Sequence, residues 1–272
     1  NINAVNAWAF DLSAACSGFL IGLETGSKLI ESGDYEKVMV IGVDTMTSIL
    51  DFDDRETCVI FGDGAGGVIL EPTKLDSGII SSILKTDGSG ASSLNVEAGG
   101  SRKPASKETI ANREHFIRQD GKKVFKFAVK RMADVSEEIL IKNGLNGNDI
   151  KLFIPHQANK RIIDATAKRL GLKESQIMIN IDAYANTTSA TLPICIAEAA
   201  EILGLEDDEL VVNLQGDEPL MPANVINQVA NNLEFNTAAE LSTLCTPILS
   251  DTEFRDPNVV KVLRDSDGFA VF

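Results

Sequence analysis

Three residues far apart in this sequence carry the side chains that acyl-transfer chemistry requires: Cys16, His156 and Asn186. A thiolate beside a histidine is the minimum for covalent acyl transfer. An asparagine amide adds an uncharged donor that can stabilise a developing oxyanion without titrating. Each residue also has a plainer reading. A free cysteine is most often a small buried hydrophobe, a histidine at a helix start a satisfied polar residue, and an asparagine a turn former. Singly, the plainer readings are better. Together, each just after a predicted strand, the three favour catalysis, because ligand sites in parallel α/β sheets form at the carboxyl ends of strands.

The elements that must hold them follow from the apolar pattern. Residues 7–10 predict a short strand, followed by a turn of small residues around Cys16 and a helix over about 17–32. At a helix start the positive end of the dipole favours a cysteine thiolate. Residues 37–44 predict a buried strand, so strand, helix and strand make a βαβ unit with a parallel sheet covered by helices. Further strands are expected at 58–60, 67–70 and 77–84, then a surface excursion over 87–110 rich in Gly, Ser and Lys. A second block predicts a helix over 122–142, with apolar positions at helical spacing, and a strand over 151–155 leading to His156. A helix over 160–170 closed by Gly171, a strand over 177–181, a loop over 182–188, a helix over 190–203 and a strand over 209–214 complete the pattern. Gly62, Gly64 and Gly67 match the dinucleotide fingerprint G-x-G-x-x-G, but that motif must open a helix, and strand-like residues 68–72 follow it. The glycines read instead as a tight turn or a close approach of two backbones.

Composition narrows the classes. The net charge of −15 argues against a general affinity for nucleic acid, and no apolar run is long enough to cross a bilayer. The four cysteines (Cys16, Cys58, Cys195 and Cys245) lack CxxC pairing, and two histidines give no zinc-ligand spacing, which fits a reducing cytoplasm. Residues 206–272 carry 13 acidic and 3 basic side chains, against 27 and 22 in residues 1–205, so a boundary is expected near 205. The chain starts at Asn1 rather than Met and stops at Phe272 within an apolar run, and both ends read as cut.

Four motifs give this pattern a family. Asp11-Leu12-Ser13-Ala14-Ala15-Cys16-Ser17-Gly18-Phe19, Phe61-Gly62-Asp63-Gly64-Ala65-Gly66, Pro155-His156-Gln157-Ala158-Asn159 and Asn186-Thr187-Thr188-Ser189-Ala190 resemble, in order and separation, the beta-ketoacyl-ACP synthase III family of the thiolase-like superfamily. The resemblance implies a thiolase-like layered αβαβα fold, incomplete here, with residues 1–110 a remnant of its N-terminal half and 111–205 its C-terminal half. It implies condensation of an acyl-CoA primer (acetyl-CoA) with malonyl-ACP at the start of fatty-acid biosynthesis, without a cofactor, in a cytoplasmic homodimer. Cys16 would accept the acyl group as a thioester, and His156 and Asn186 would stabilise the enolate formed on decarboxylation. Basic residues matching Lys126, Arg161 and Lys168 would meet the acidic carrier protein, although a solvated face is the commoner fate of such charges. A papain-like protease also uses Cys, His and Asn in this order, but its flanking Cys-Gly-Ser-Cys-Trp pattern is missing.

The sequence departs from that family in its start, in Ala185 where a glycine is usual, and in lacking the closing glycine-rich loop that completes the oxyanion hole. From about Asp208 it resembles the CMP-KDO synthetase family (3-deoxy-manno-octulosonate cytidylyltransferase). The resemblance rests on Val211-Val212-Asn213-Leu214-Gln215-Gly216-Asp217-Glu218-Pro219, Pro257-Asn258-Val259-Val260-Lys261-Val262 and Asp267-Gly268-Phe269-Ala270. It implies that 206–272 is a fragment of a nucleotide-diphospho-sugar-transferase-like α/β fold, with Asp217 a ligand for Mg2+. The expectation is therefore a chimera, impaired in both activities.

Overall fold

The computed structural model describes residues 4–74 and 78–203, with side chains to residue 201. The described residues from Ala9 onward belong to one compact unit. The predicted strand over 209–214, Asp217 and the whole 206–272 segment lie outside the described residues.

Among the described residues, four helices fall where the apolar spacing predicts them, and two short ones form at the end of the expected 87–110 excursion and at the junction of the expected 177–181 strand with the 182–188 loop. They are α1 (Gly18–Glu31), α2 (Lys107–Ala111), α3 (Gly121–Lys142), α4 (Lys160–Leu170), α5 (Ile181–Tyr184) and α6 (Thr191–Leu203). Local chemistry sets their ends. The Asp120 carboxylate accepts from Lys123 N–H at the start of α3, and Asn159 Oδ1 accepts from Arg161 N–H at the start of α4. Gly171 closes α4 at φ 71°, in the left-handed region that glycine reaches without penalty. Along α4 the buried Ile162, Ile163, Thr166 and Ala167 alternate at helical period with exposed Arg161, Asp164 and Lys168. That apolar stripe packs the helix on its neighbours, including α3.

Strands β1 (Val38–Asp44) and β2 (Gly64–Leu70) pair antiparallel, from Val38 opposite Leu70 to Asp44 opposite Gly64. Strands β3 (Leu94–Val96) and β4 (Ile117–Gln119) form a second antiparallel pair. The expectation of a parallel βαβ sheet is corrected here: its first strand, residues 7–10, joins no ladder, and β1 pairs antiparallel with β2. The chain between β1 and β2 holds only a short 3-10 turn, Met46–Ile49, and further turns, and a parallel return needs a longer crossover. Among the described residues, parallel pairing is confined to two isolated bridges, Phe61 with Asn186 and Phe153 with Ile177. Residues 7–10 and 78–84 have no regular secondary structure, since an apolar run becomes a strand only by joining a ladder. Residues 58–60 form a turn, held by Cys58 N–H donating to Asp54 C=O and by the Asp54 carboxylate accepting from Glu56 N–H and Thr57 Oγ1. Residues 151–155 and 177–181 contribute bridges, and α5 begins at Ile181.

One face of the β1–β2 ribbon is buried. Phe19 of α1, Val40 of β1 and Leu192 of α6 form a core, with Leu23, Val68, Leu70 and Ile196 packed around it. The other face is not covered as predicted: Met39, Ile41, Val43 and Ile69 are each about half exposed. The glycines of β2 belong to a strand, so the nucleotide fingerprint has no helix to open and close backbone approach is their role. One such approach on β1 meets the segment that carries Asn186. A Cβ at Gly42 would lie 2.5 Å from the backbone oxygen of Ser189, which cannot move without the segment that carries it. Gly42→Ala is therefore expected to destabilise the fold by about 1–3 kcal/mol. The control is Gly88→Ala, whose added methyl meets open space. Thermal unfolding checks this, and equal midpoints for the two variants would contradict the close-approach account.

Candidate active site

The segment Asn186–Thr191 is buried throughout and carries the connections of the site. Its start is stitched to the turn before β2: Asn186 N–H donates to Ile60 C=O at 3.0 Å, and Gly62 N–H donates to Asn186 C=O at 3.1 Å. In its middle, Ser189 N–H donates to Asp44 Oδ2 at 2.9 Å, and the Ser189 hydroxyl bonds the same oxygen. Asp44 ends β1, so one carboxylate ties the carboxyl end of that strand to the buried segment. The Ala15–Ser17 turn, which holds Cys16, packs against Thr188–Ala190. At the far end, His156 Nδ1 lies 2.6 Å from Thr191 Oγ1. Cys16, Asn186 and His156 thus all border one six-residue segment.

Backbone strain gathers at the same place. Among the described residues, four non-glycine residues have positive φ, and three of them are Ala15 (47°), Ala185 (59°) and Thr188 (52°). They immediately precede Cys16, precede Asn186 and follow it by two. Ala185, at ψ −158°, occupies a region that is almost exclusively glycine's. Such residues persist only where surrounding packing over-determines them, and they concentrate at functional sites.

The electrostatics are those of an uncharged site. Burial, and after it the Asp44 carboxylate, pushes the Cys16 thiol up to about 11, against a smaller pull from a backbone hydrogen bond. This corrects the expectation of a thiolate favoured by the helix start: α1 begins two residues later, and desolvation with a nearby negative charge outweighs its dipole. Burial lowers His156 to about 4, so the imidazole is neutral at pH 7. Asn186 Oδ1 accepts from Thr188 N–H at 3.0 Å, which orients the carboxamide with its NH2 as the donor end. The buried Thr187 and Thr188 hydroxyls have no hydrogen-bond partner among the described residues. Cys195 lies apart from this chemistry: fully buried, it donates to Asn180 Oδ1, and burial pushes its thiol up to about 12.

The basic residues lie on a different surface. Lys126 on α3 and Arg161 and Lys168 on α4 are exposed. Arg161 stacks over the Phe125 ring at 4.9 Å, where α3 and α4 meet. Arg169 is held by Asp134 at 2.6 Å and Glu137 at 2.5 Å, a structural tie between the two helices. Among the described residues no group of three or more His, Cys, Asp or Glu side chains is placed to hold a metal ion, and no helix is long and apolar enough to cross a membrane. Sequence reasoning missed Asp44, Ser189 and Thr191. Asp44 had a signal, as a carboxylate at the end of a predicted strand. Thr191 had none, because its role depends on a residue 35 positions away.

Comparison with known proteins gives this arrangement its relatives. Residues 10–88 match the family model for 3-oxoacyl-[acyl-carrier-protein] synthase III, and residues 140–214 match its C-terminal counterpart. A beta-ketoacyl-[acyl-carrier-protein] synthase III of Chlorobium phaeobacteroides is 55% identical over 202 residues, 74% of this chain and 61% of that protein. One of Chlorobaculum tepidum is 56% identical over 203 residues, 74% and 62% of the two chains. The crystal structure of 3-oxoacyl-[acyl-carrier-protein] synthase III from Aquifex aeolicus superposes with a TM-score of 0.66 at 36% identity, over 76% of this chain and 62% of that one. The chain spans about three-fifths of the length of the curated relatives it matches. Two models of one family match more than half of the chain between them, and over residues 10–214 the chain belongs to the beta-ketoacyl-ACP synthase III family of thiolase-like proteins.

Proposed function

We propose that this chain carries the acyl-transfer centre of a beta-ketoacyl-ACP synthase III, acting on an acyl-CoA primer such as acetyl-CoA and on malonyl-ACP. Residues 1–110 supply the nucleophile half and 111–205 the half with His156 and Asn186. The observation that supports this reading best is that the turn holding Cys16 and the His156 ring each contact the buried segment that Asn186 opens, within a chain of that family. The Cys16 sulfur attacks the primer thioester, the carbon–sulfur bond to CoA breaks, and the proton of the thiol ends on the CoA sulfur. Malonyl-ACP then loses carbon dioxide, and its enolate carbon attacks the acyl-Cys16 carbonyl. The new carbon–carbon bond forms as the Cys16 thiolate leaves and takes a proton from water. The His156 ring and the Asn186 amide hold the enolate oxygen, and both do so without a net charge.

Lys126, Arg161 and Lys168 form the docking face for the acidic carrier, with complementary charge governing encounter rate. A homodimer and a reducing cytoplasmic setting complete the reading. The latter fits three free cysteines, Cys16, Cys58 and Cys195, among the described residues. The tail carries a second proposal on its own motif. By resemblance, residues 208–272 would be a cytidylyltransferase fragment joined to the synthase, the two likenesses overlapping at 208–214, and Asp217 would ligate magnesium. CTP-dependent pyrophosphate release that disappears in Asp217→Asn would support that reading, and release unchanged in that variant would end the assignment of Asp217.

Incubation with acetyl-CoA is expected to add one acetyl group, seen by mass spectrometry of the intact protein and absent in Cys16→Ala. An adduct surviving that substitution would overturn the assignment of the nucleophile. The pH dependence follows from the raised thiol. With Cys16 ionising near 11, its alkylation by iodoacetamide should climb about tenfold per pH unit from pH 7 to 10 without a plateau. Asp44→Asn removes the negative charge that raises the thiol. At pH 8 that variant should label Cys16 about two- to tenfold faster, measured on the Cys16 peptide. An unchanged or slower rate would remove Asp44 from the electrostatics of the site.

A further inference from the structure

A parallel ladder starts just before His156 and then loses a partner. Phe153 N–H donates to Gln176 C=O at 2.7 Å, and Met178 N–H donates to Phe153 C=O at 3.0 Å, which makes the Phe153–Ile177 bridge. In parallel pairing the next rung falls two residues on, with residue 155 donating to Met178 C=O and accepting from Asn180 N–H. Residue 155 is a proline, which has no N–H to give. The carboxamide of Gln157 stands in the gap. Its Nε2 donates to Pro155 C=O at 2.9 Å and to Met178 C=O at 3.2 Å, and its Oε1 accepts from Asn180 N–H at 3.1 Å. A carboxamide offers the N–H and C=O of a peptide group, with one further proton for the proline carbonyl. The Gln157 side chain is 1% exposed, and buried polar groups must find their partners within the protein.

We propose that Gln157 is a positioning residue, a side-chain peptide that completes the rung Pro155 cannot make and so sets where the chain turns away at His156. Without it, Met178 C=O and Asn180 N–H would face a proline in a buried place. With it, the ladder ends in full hydrogen bonding and His156 follows at a fixed point. The same carboxamide reaches the other half of the site. Asn180 immediately precedes α5, which leads through Ala185 to Asn186. Asn180 is anchored in turn by its own side chain, which donates to Glu198 Oε2 at 2.7 Å and accepts from Cys195 Sγ at 3.1 Å. His156 and the chain that carries Asn186 therefore share one reference, Gln157. The functional meaning rests on the synthase reading above, in which those two residues act together. The rung itself does not depend on that reading.

The test is hydrogen exchange followed by NMR on the full chain. In the unsubstituted protein the Gln157 side-chain NH2 should exchange slowly, and exchange at the rate of an exposed glutamine would overturn the proposal without any variant. Gln157→Leu keeps the bulk without the amide. Asn180 N–H should then exchange about ten- to a hundredfold faster relative to Met178 N–H, whose acceptor is Phe153. An unchanged ratio in the folded variant would overturn the proposal. Pro155→Ala supplies the missing backbone donor. Added to Gln157→Leu, it lets the ladder close backbone to backbone, so it should raise the unfolding midpoint and return the protection of Asn180. In the unsubstituted background, where the rung is already filled, Pro155→Ala should leave the midpoint equal or lower it. Additive effects of the two substitutions would mean that Gln157 merely fills space, and would overturn the proposal. The positioning role is read on the double variant, whose closed ladder draws residue 155 toward the 178–180 chain. It should acetylate Cys16 as before, yet release carbon dioxide from malonyl-ACP about ten- to a hundredfold more slowly than the unsubstituted protein. Full recovery of both steps would remove the positioning role. An unsubstituted chain that takes no acetyl group or releases no carbon dioxide, yet shows the expected exchange, would count against the synthase reading alone.

Discussion

The arrangement depends on one close approach, that of the Asn186–Thr191 backbone to strand β1 at Gly42. No side chain fits between them. That proximity lets Asp44 reach Ser189 and places the Cys16 turn against Thr188–Ala190. It also fixes where Thr191 begins α6, and through Thr191 the position of the His156 ring. Interiors pack closely and transmit displacement, so a shift at Gly42 would reach all three candidate residues together. The left-handed backbone at Ala15, Ala185 and Thr188 shows how much the surrounding packing imposes on this segment.

The charge pattern follows from the same burial. A thiol near 11 and an imidazole near 4 both favour their uncharged forms at pH 7. Asp44, bound twice to Ser189, serves the architecture and at the same time opposes early ionisation of Cys16. The cationic surface of α3 and α4 is separate and has its own internal ties, such as Arg169 with Asp134 and Glu137.

Much of this was legible in the residues. The helices α1, α3, α4 and α6 announced themselves through period and caps, down to Gly171 at the end of α4. Cys16 and His156 stood out because the chain has only four cysteines and two histidines, whereas Asn186, one of eighteen asparagines, stood out only through the motif it opens. The strand pairing was not. A short apolar run such as 37–44 reads equally as a parallel or an antiparallel strand, and what decides is the length and content of the return to 64–70. The ionisation of Cys16 was read with the wrong sign because its principal causes, desolvation and Asp44, come from tertiary structure. Thr191 was invisible for the same reason: a threonine acquires its role only when the fold sets an imidazole beside it.

The half-exposed Met39, Ile41, Val43 and Ile69 have a consequence for calorimetry. Apolar surface hydrated in the folded state undergoes little change in hydration when the chain opens, so it adds little to the heat-capacity increment of unfolding. The same surface adds little to the denaturant m-value, which scales with newly exposed area. The stability curve of this domain should therefore be flatter, residue for residue, than that of a fold whose central ribbon is packed on both faces.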